Sequence, residues 1–87
     1  MTRWVIQIDS KAAAQLKKLD KPIRQRIIAL IDSLTVGDPR AKGKGLTADK
    51  SGTWRYRVGD YRVLAEIEDH IVTITVTKVA HRSKVYD

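Results

Sequence analysis

Between Trp54 and Thr77 apolar and polar residues change places at nearly every step, and a period of two marks β-strands with one better buried face. Trp54, Tyr56 and Val58 fall on one side, with Arg55 and Arg57 on the other. Gly59-Asp60 then supplies a two-residue hairpin turn. Tyr61, Val63, Ala65 and Ile67 alternate with Arg62, Leu64, Glu66 and Glu68 in the next run. Asp69-His70 makes a second turn into Val72, Ile74 and Val76, which alternate with Thr73, Thr75 and Thr77. Three strands joined by tight turns predict an antiparallel meander.

Upstream, residues 3–8 alternate in the same way, with Trp4, Ile6 and Ile8 against Arg3, Val5 and Gln7, and predict a first strand. Asp9 or Ser10 can cap a short helix in which Ala12, Leu16 and Leu19 follow helical spacing. Asp20 with Pro22 in the next first turn starts a second helix, whose apolar stripe is Ile23, Ile27, Leu30 and Leu34. One stripe on each helix calls for an apolar partner, and the sheet supplies it. Gly37 and Pro39 end the helical run, and the stretch to Gly52 has no periodicity and predicts a mobile basic loop. The last ten residues, Lys78 to Asp87, are polar and predict an edge or tail against the sheet. The expected class is α+β, in the order β-α-α-β-β-β, and 87 residues make a single domain spanning 1–87.

Charge is distributed unevenly. The chain carries a formal net charge of +7, of which residues 40–62 hold +5, while residues 63–77 hold −3. A turn at Gly59-Asp60 sets Val58 opposite Tyr61, Arg57 opposite Arg62 and Tyr56 opposite Val63, and directly opposed residues share a face. Arg55, Arg57 and Arg62 therefore converge on the side away from the core. The second turn, taken as two residues, carries the pairing on to Glu66 near Thr73, Leu64 near Thr75 and Arg62 near Thr77. Like charges directly opposite each other cost up to about 1 kcal/mol, so folding alone does not select Arg57 across from Arg62. A bound anion relieves the repulsion. The loop lysines Lys42, Lys44 and Lys50, and His81, Arg82 and Tyr86 from the tail, flank these arginines and complete a candidate phosphate site.

Other chemistries are excluded more simply. The chain has no cysteine, which removes disulfides, thiolate metal sites and cysteine nucleophiles and fits a cytoplasmic protein. Two histidines eleven positions apart do not make a transition-metal site, and no cofactor is expected. The longest apolar run, Ile27 to Ile31, is far short of the roughly 20 residues of a membrane span, and no membrane partner is expected. Trp4 and Trp54 are in phase with core residues and read as core, His70 reads as a turn residue, and Gly43 and Gly45 read as loop flexibility.

The stretch Trp-Arg-Tyr-Arg-Val-Gly-Asp-Tyr-Arg-Val (Trp54 to Val63) and the ending His-Arg-Ser-Lys-Val-Tyr (His81 to Tyr86), in this order of elements, resemble the RelE toxins of the RelE/ParE superfamily. The resemblance covers nearly the whole chain. It implies a type II toxin that enters the ribosomal A site and cleaves mRNA without metal. It also implies a cognate acidic, RelB-like antitoxin, and operator DNA contacted only in complex with that antitoxin. By position Arg55 and Arg57 fall where RelE enzymes carry basic residues, commonly lysines. Arg62 falls on the arginine of the Tyr-Arg pair, Arg82 on the tail arginine and Tyr86 on the tail tyrosine. Arginine at both strand positions departs from that pattern, because a guanidinium takes no proton near neutral pH. Proton transfer then rests on His81 or Tyr86. Two other readings stay open: a ParE-type poison of DNA gyrase on the same fold, and a nucleic-acid-binding relative without catalysis.

Overall fold

The computed structural model describes residues 3–41, 44–45 and 53–84. The chain forms β1 (Val5–Ile8), α1 (Ser10–Lys17), α2 (Lys21–Ser33), a 3-10 turn (Pro39–Ala41), β2 (Lys44–Gly45), β3 (Thr53–Val58) and β4 (Tyr61–Glu68). A second 3-10 turn (Asp69–Ile71), β5 (Thr73–His81) and a third 3-10 turn (Arg82–Lys84) follow. The five strands make one sheet in the order β1-β5-β4-β3-β2, with β1 parallel to β5 and the other pairs antiparallel. This is the α+β arrangement of strand, helical hairpin and meander that the sequence predicts, with the short β2 added at the outer edge of β3. The predicted loop over residues 37–52 is thus partly ordered, by the Pro39–Ala41 turn and by β2.

Local chemistry explains the helices. Asp9 caps α1, its carboxylate accepting the Lys11 N–H at 2.9 Å, and Pro22 sits in the first turn of α2. Both helices lie on one face of the sheet, α1 against β5 and α2 against β3. Ala12 and Leu16 from α1, and Ile27, Ile31 and Leu34 from the α2 region, meet Tyr56, Val58, Val63, Ala65, Ile67, Ile74, Val76 and Val79 from the strands in a single core. Trp4 and Trp54 pack against that core as expected. Ile8 departs from its predicted burial, because β1 stops there at the sheet edge and leaves the side chain 42% exposed. No helix among the described residues is long and apolar enough to cross a membrane.

Two corrections concern β5. The connection from β4 is not the two-residue turn Asp69-His70. It is the 3-10 turn Asp69–Ile71 followed by Val72 at φ 49°, a left-handed conformation that strains a β-branched residue. The pairing moves by two residues as a result, so that Glu66 stands opposite Thr75 instead of Thr73. A β-bulge then adds one residue: Ala65 pairs with Val76 but Leu64 with Lys78 and Arg62 with Ala80, which leaves Thr77 as the extra residue. Lys78 to His81 therefore belong to the strand and not to a tail, and Val79 reaches the core at 2% exposure. Beyond Val76 the outer edge of β5 has no strand beside it among the described residues, and Gln15 Oε1 on α1 accepts the Val79 N–H there at 2.7 Å.

Tyr56 is the largest fully buried side chain, and its hydroxyl donates to the Pro39 carbonyl at 2.9 Å. That bond ties the segment after α2 to the middle of β3. Burial pushes the Tyr56 phenol up to about 12, against the opposing pull of the Arg40 charge. The unfolded phenol titrates near 10, so the fold prefers the protonated form. This contribution is complete below about pH 10 and lost as pH rises through about 12, a decline on the order of 2 to 3 kcal/mol. Urea unfolding at pH 9 and pH 11.5 should show this component in the wild type and not in Tyr56→Phe. Equal alkaline losses in the two proteins would contradict it.

A basic open face as the candidate RNA site

The helices cover one side of the sheet and leave the other open among the described residues. Arg57 pairs with Arg62 and Arg55 with Leu64, the register predicted for the Gly59-Asp60 hairpin, so all three arginines lie on the open side. Arg55 and Arg57 are exposed, and neither side chain makes a hydrogen bond or ion pair with a described residue. Arg62 is half-buried and folds back over the hairpin turn, its Nη1 donating to the Gly59 carbonyl at 3.2 Å and the Tyr61 carbonyl at 3.0 Å. These two bonds hold the Arg62 guanidinium at the hairpin, from the strand position paired with Arg57.

The turn also collects the chain beyond β5. Arg82 N–H donates to the Asp60 carbonyl at 2.7 Å, and Arg82 Nε lies 4.0 Å from the Asp60 carboxylate. Gly59, at φ 57°, makes this turn tight, and Arg26 of α2 packs over it from the core side, 3.4 Å from where a Cβ would stand. Arg62 and Arg82 are thus both anchored on one two-residue turn. A cavity of about 420 Å³ opens beside the same turn on the helical side, lined by Asp20, Ile23, Arg26, Asp60 and Tyr61 among others.

His81 is not among the arginines. It pairs with Tyr61, whose side chain belongs to the core face, and the two rings meet edge to face with centroids 5.4 Å apart. Its Nδ1 accepts the Ser83 N–H at 3.2 Å and lies 2.9 Å from Ser83 Oγ. The bulge at Thr77 is the reason: it reverses the phase of every later residue in β5. The same reversal brings Lys78 onto the open face, opposite Leu64 and one rung from Arg62. Lys78 is the residue that period-two reading misses. Its only sequence signal is the pair of core residues Val76 and Val79, an odd spacing that breaks the alternation.

Lys44 stands across from Arg55 in the backbone ladder. Lys42, Lys50 and Tyr86 lie outside the described residues. Acidic groups gather at the far end of the sheet, where Arg40 binds Asp69 through paired bonds of 3.0 and 3.1 Å. That hydrogen bonding, with the Arg40 charge behind it, holds the Asp69 carboxyl below its ordinary range. Arg40 also lies over the Trp54 ring, 6.0 Å from its centroid. A face that is basic at the hairpin, where the Arg55 and Arg57 side chains have no carboxylate partner among the described residues, can bind a phosphodiester.

Comparison with known proteins agrees with this geometry. Residues 6–86 match the family described as ParE toxin of type II toxin-antitoxin system, parDE. Toxin RelG of Mycobacterium tuberculosis is 31% identical over 87 residues, covering 95% of each chain. Toxin RelE of the same organism is 30% identical over 81 residues, covering 93% of this chain and 84% of that one. Among solved structures, the toxin–antitoxin complex RelBE2 of M. tuberculosis superposes with a TM-score of 0.81 at 28% identity over 97% of both chains. On the family match, these relatives and the shared fold, the chain belongs to the RelE/ParE superfamily and is a toxin of a type II toxin–antitoxin system.

Proposed function

We infer that this toxin is a ribosome-dependent mRNA endoribonuclease that inhibits translation in the cytoplasm, with Arg55, Arg57, Arg62, Arg82 and Tyr86 as its working residues. The observation that carries this reading is the convergence of Arg55, Arg57 and Arg62 on one open face, with Arg82 tied to the same turn. In the reaction the 2′-oxygen attacks the neighbouring phosphorus and the P–O5′ bond breaks, giving a 2′,3′-cyclic phosphate and a free 5′-hydroxyl. One proton leaves the 2′-hydroxyl and one reaches O5′. The Arg62 guanidinium, already held by the Gly59 and Tyr61 carbonyls, stabilises the extra negative charge at phosphorus without reorganising, and the exposed Arg55 and Arg57 order onto the phosphate as it binds. Arginine keeps its proton throughout, so proton transfer falls to another group. Tyr86 fills that role, since His81 belongs to the opposite side of β5. Lys42, Lys44 and Lys50 add RNA-backbone contacts, and no step uses a metal ion.

Purified toxin added to mRNA-programmed ribosomes is expected to cut the message in the A site and leave 2′,3′-cyclic phosphate ends. Intact message at saturating toxin overturns the reading. The family match carries the ParE name, and the second reading is therefore a gyrase poison. Its mark is accumulation of gyrase cleavage complexes on expression, with mRNA left whole.

The partner that inactivates the toxin is a RelB-like, acidic antitoxin. Support comes from the net charge of +7, which suits an acidic segment that folds on binding, and from relatives solved as RelB–RelE complexes. An antitoxin helix laid over the helical hairpin would cover Ile28, which is 49% exposed on α2. The toxin meets operator DNA only within that complex. Coexpression with the adjacent small open reading frame should yield a copurifying pair and relieve toxicity, and failure of both counts against the partner.

A further inference from the structure

Lys78 is half-buried on the open face, and its ammonium has no hydrogen-bond or ion-pair partner among the described residues. The ladder Arg55–Leu64–Lys78 crosses three strands as one rung, beside the rung Arg57–Arg62–Ala80. Strand spacing sets the backbones of Arg55 and Lys78 about 10 Å apart, astride β4, and the two rungs about 7 Å apart along the strands. Leu64 between the two cations is uncharged and neutralises neither. Half-buried and unmatched among the described residues, that charge is one an anion would complete.

We propose that Lys78, with Arg55 across Leu64, grips the phosphate next to the scissile one and so sets the register of the message on the arginine rung. This rests on the nuclease reading above and adds to it a residue that reads position along the RNA. The two rungs are separated by a distance comparable to one repeat of an extended nucleic-acid backbone, so one rung holds the scissile group and the other its neighbour. A lysine suits the second position, because a compact charge on a flexible stem holds a phosphate without fixing its orientation.

The test uses programmed ribosomes carrying messages with a single neutral methylphosphonate immediately 5′ or 3′ of the scissile linkage. Wild type should lose about tenfold in kcat/KM on one of these two messages, the size expected for a charge-assisted contact. Lys78→Gln should lose a similar factor on the unmodified message, expressed mainly in KM, and lose nothing further on that neutral message. Lys78→Arg should restore the unmodified reaction. If Lys78→Gln matches wild type on the unmodified message, or if the two penalties multiply, the proposal is overturned while the nuclease reading stands. Absence of cleavage by the wild type removes the nuclease reading and this proposal with it.

Discussion

Arg62→Ala is expected to lower A-site cleavage by about two to three orders of magnitude, the usual effect of removing one pre-positioned donor from a developing oxyanion. Arg62 is chosen over its neighbours because its guanidinium is held at the Gly59 and Tyr61 carbonyls, at 3.2 and 3.0 Å, before any substrate arrives. The Arg55 and Arg57 side chains are exposed and have no partner among the described residues, so they are ordered on binding, and their loss should cost less. The same variant should end growth arrest on induction while keeping the unfolding free energy from urea titration within about 0.5 kcal/mol of wild type, since Arg62 fills no core position. Retention of full cleavage by Arg62→Ala would remove the arginine from the chemistry. Loss of folding together with cleavage would make its role structural.

The largest effect on stability should come from Tyr56→Ala. The ring is 1% exposed in the core beneath the middle of β3, and truncating a large aromatic there costs about 3 to 5 kcal/mol through lost transfer energy and the cavity left behind. The Pro39 carbonyl also loses its donor. Set against the roughly 5 to 15 kcal/mol of a domain this size, that loss leaves the fold marginal. Tyr56→Phe keeps the ring and leaves only the carbonyl unsatisfied, for about 1 to 3 kcal/mol. Urea titrations of the two variants should separate these costs. Equal losses would mean that the hydroxyl, and not the ring, dominates.

The hairpin was legible in the sequence because two independent signals agree there: Gly59 permits a left-handed backbone, and the alternation on either side fixes which faces match. The pairing of Arg57 with Arg62 follows from those signals alone. Asp9 before Ser10 and Pro22 after Asp20 marked the helix starts for equally local reasons. The end of β5 was not legible. A bulge adds one residue without any local requirement for glycine or proline, so Thr77 looks like an ordinary strand residue while it reverses the faces of Lys78 and His81. Val72 is a second case, because nothing in a valine announces a left-handed backbone, and only closure of the β4–β5 connection imposes it. Two-residue β2 is too short for any periodicity and exists through its pairing with β3. The arginine face was therefore visible early, while the residues joining it from β5 depended on the tertiary ladder.

The central claim is that RNA lies on the open face with its scissile phosphate among the guanidinium groups. A cryo-electron microscopy structure of the toxin on ribosomes, programmed with a message whose A-site 2′-hydroxyls are methylated to block cleavage, measures this directly. The predicted result is a phosphate whose non-bridging oxygens lie about 3 Å from guanidinium nitrogens of Arg57 and Arg62. Message bound instead across the helices, with the arginine face turned to solvent, would contradict it.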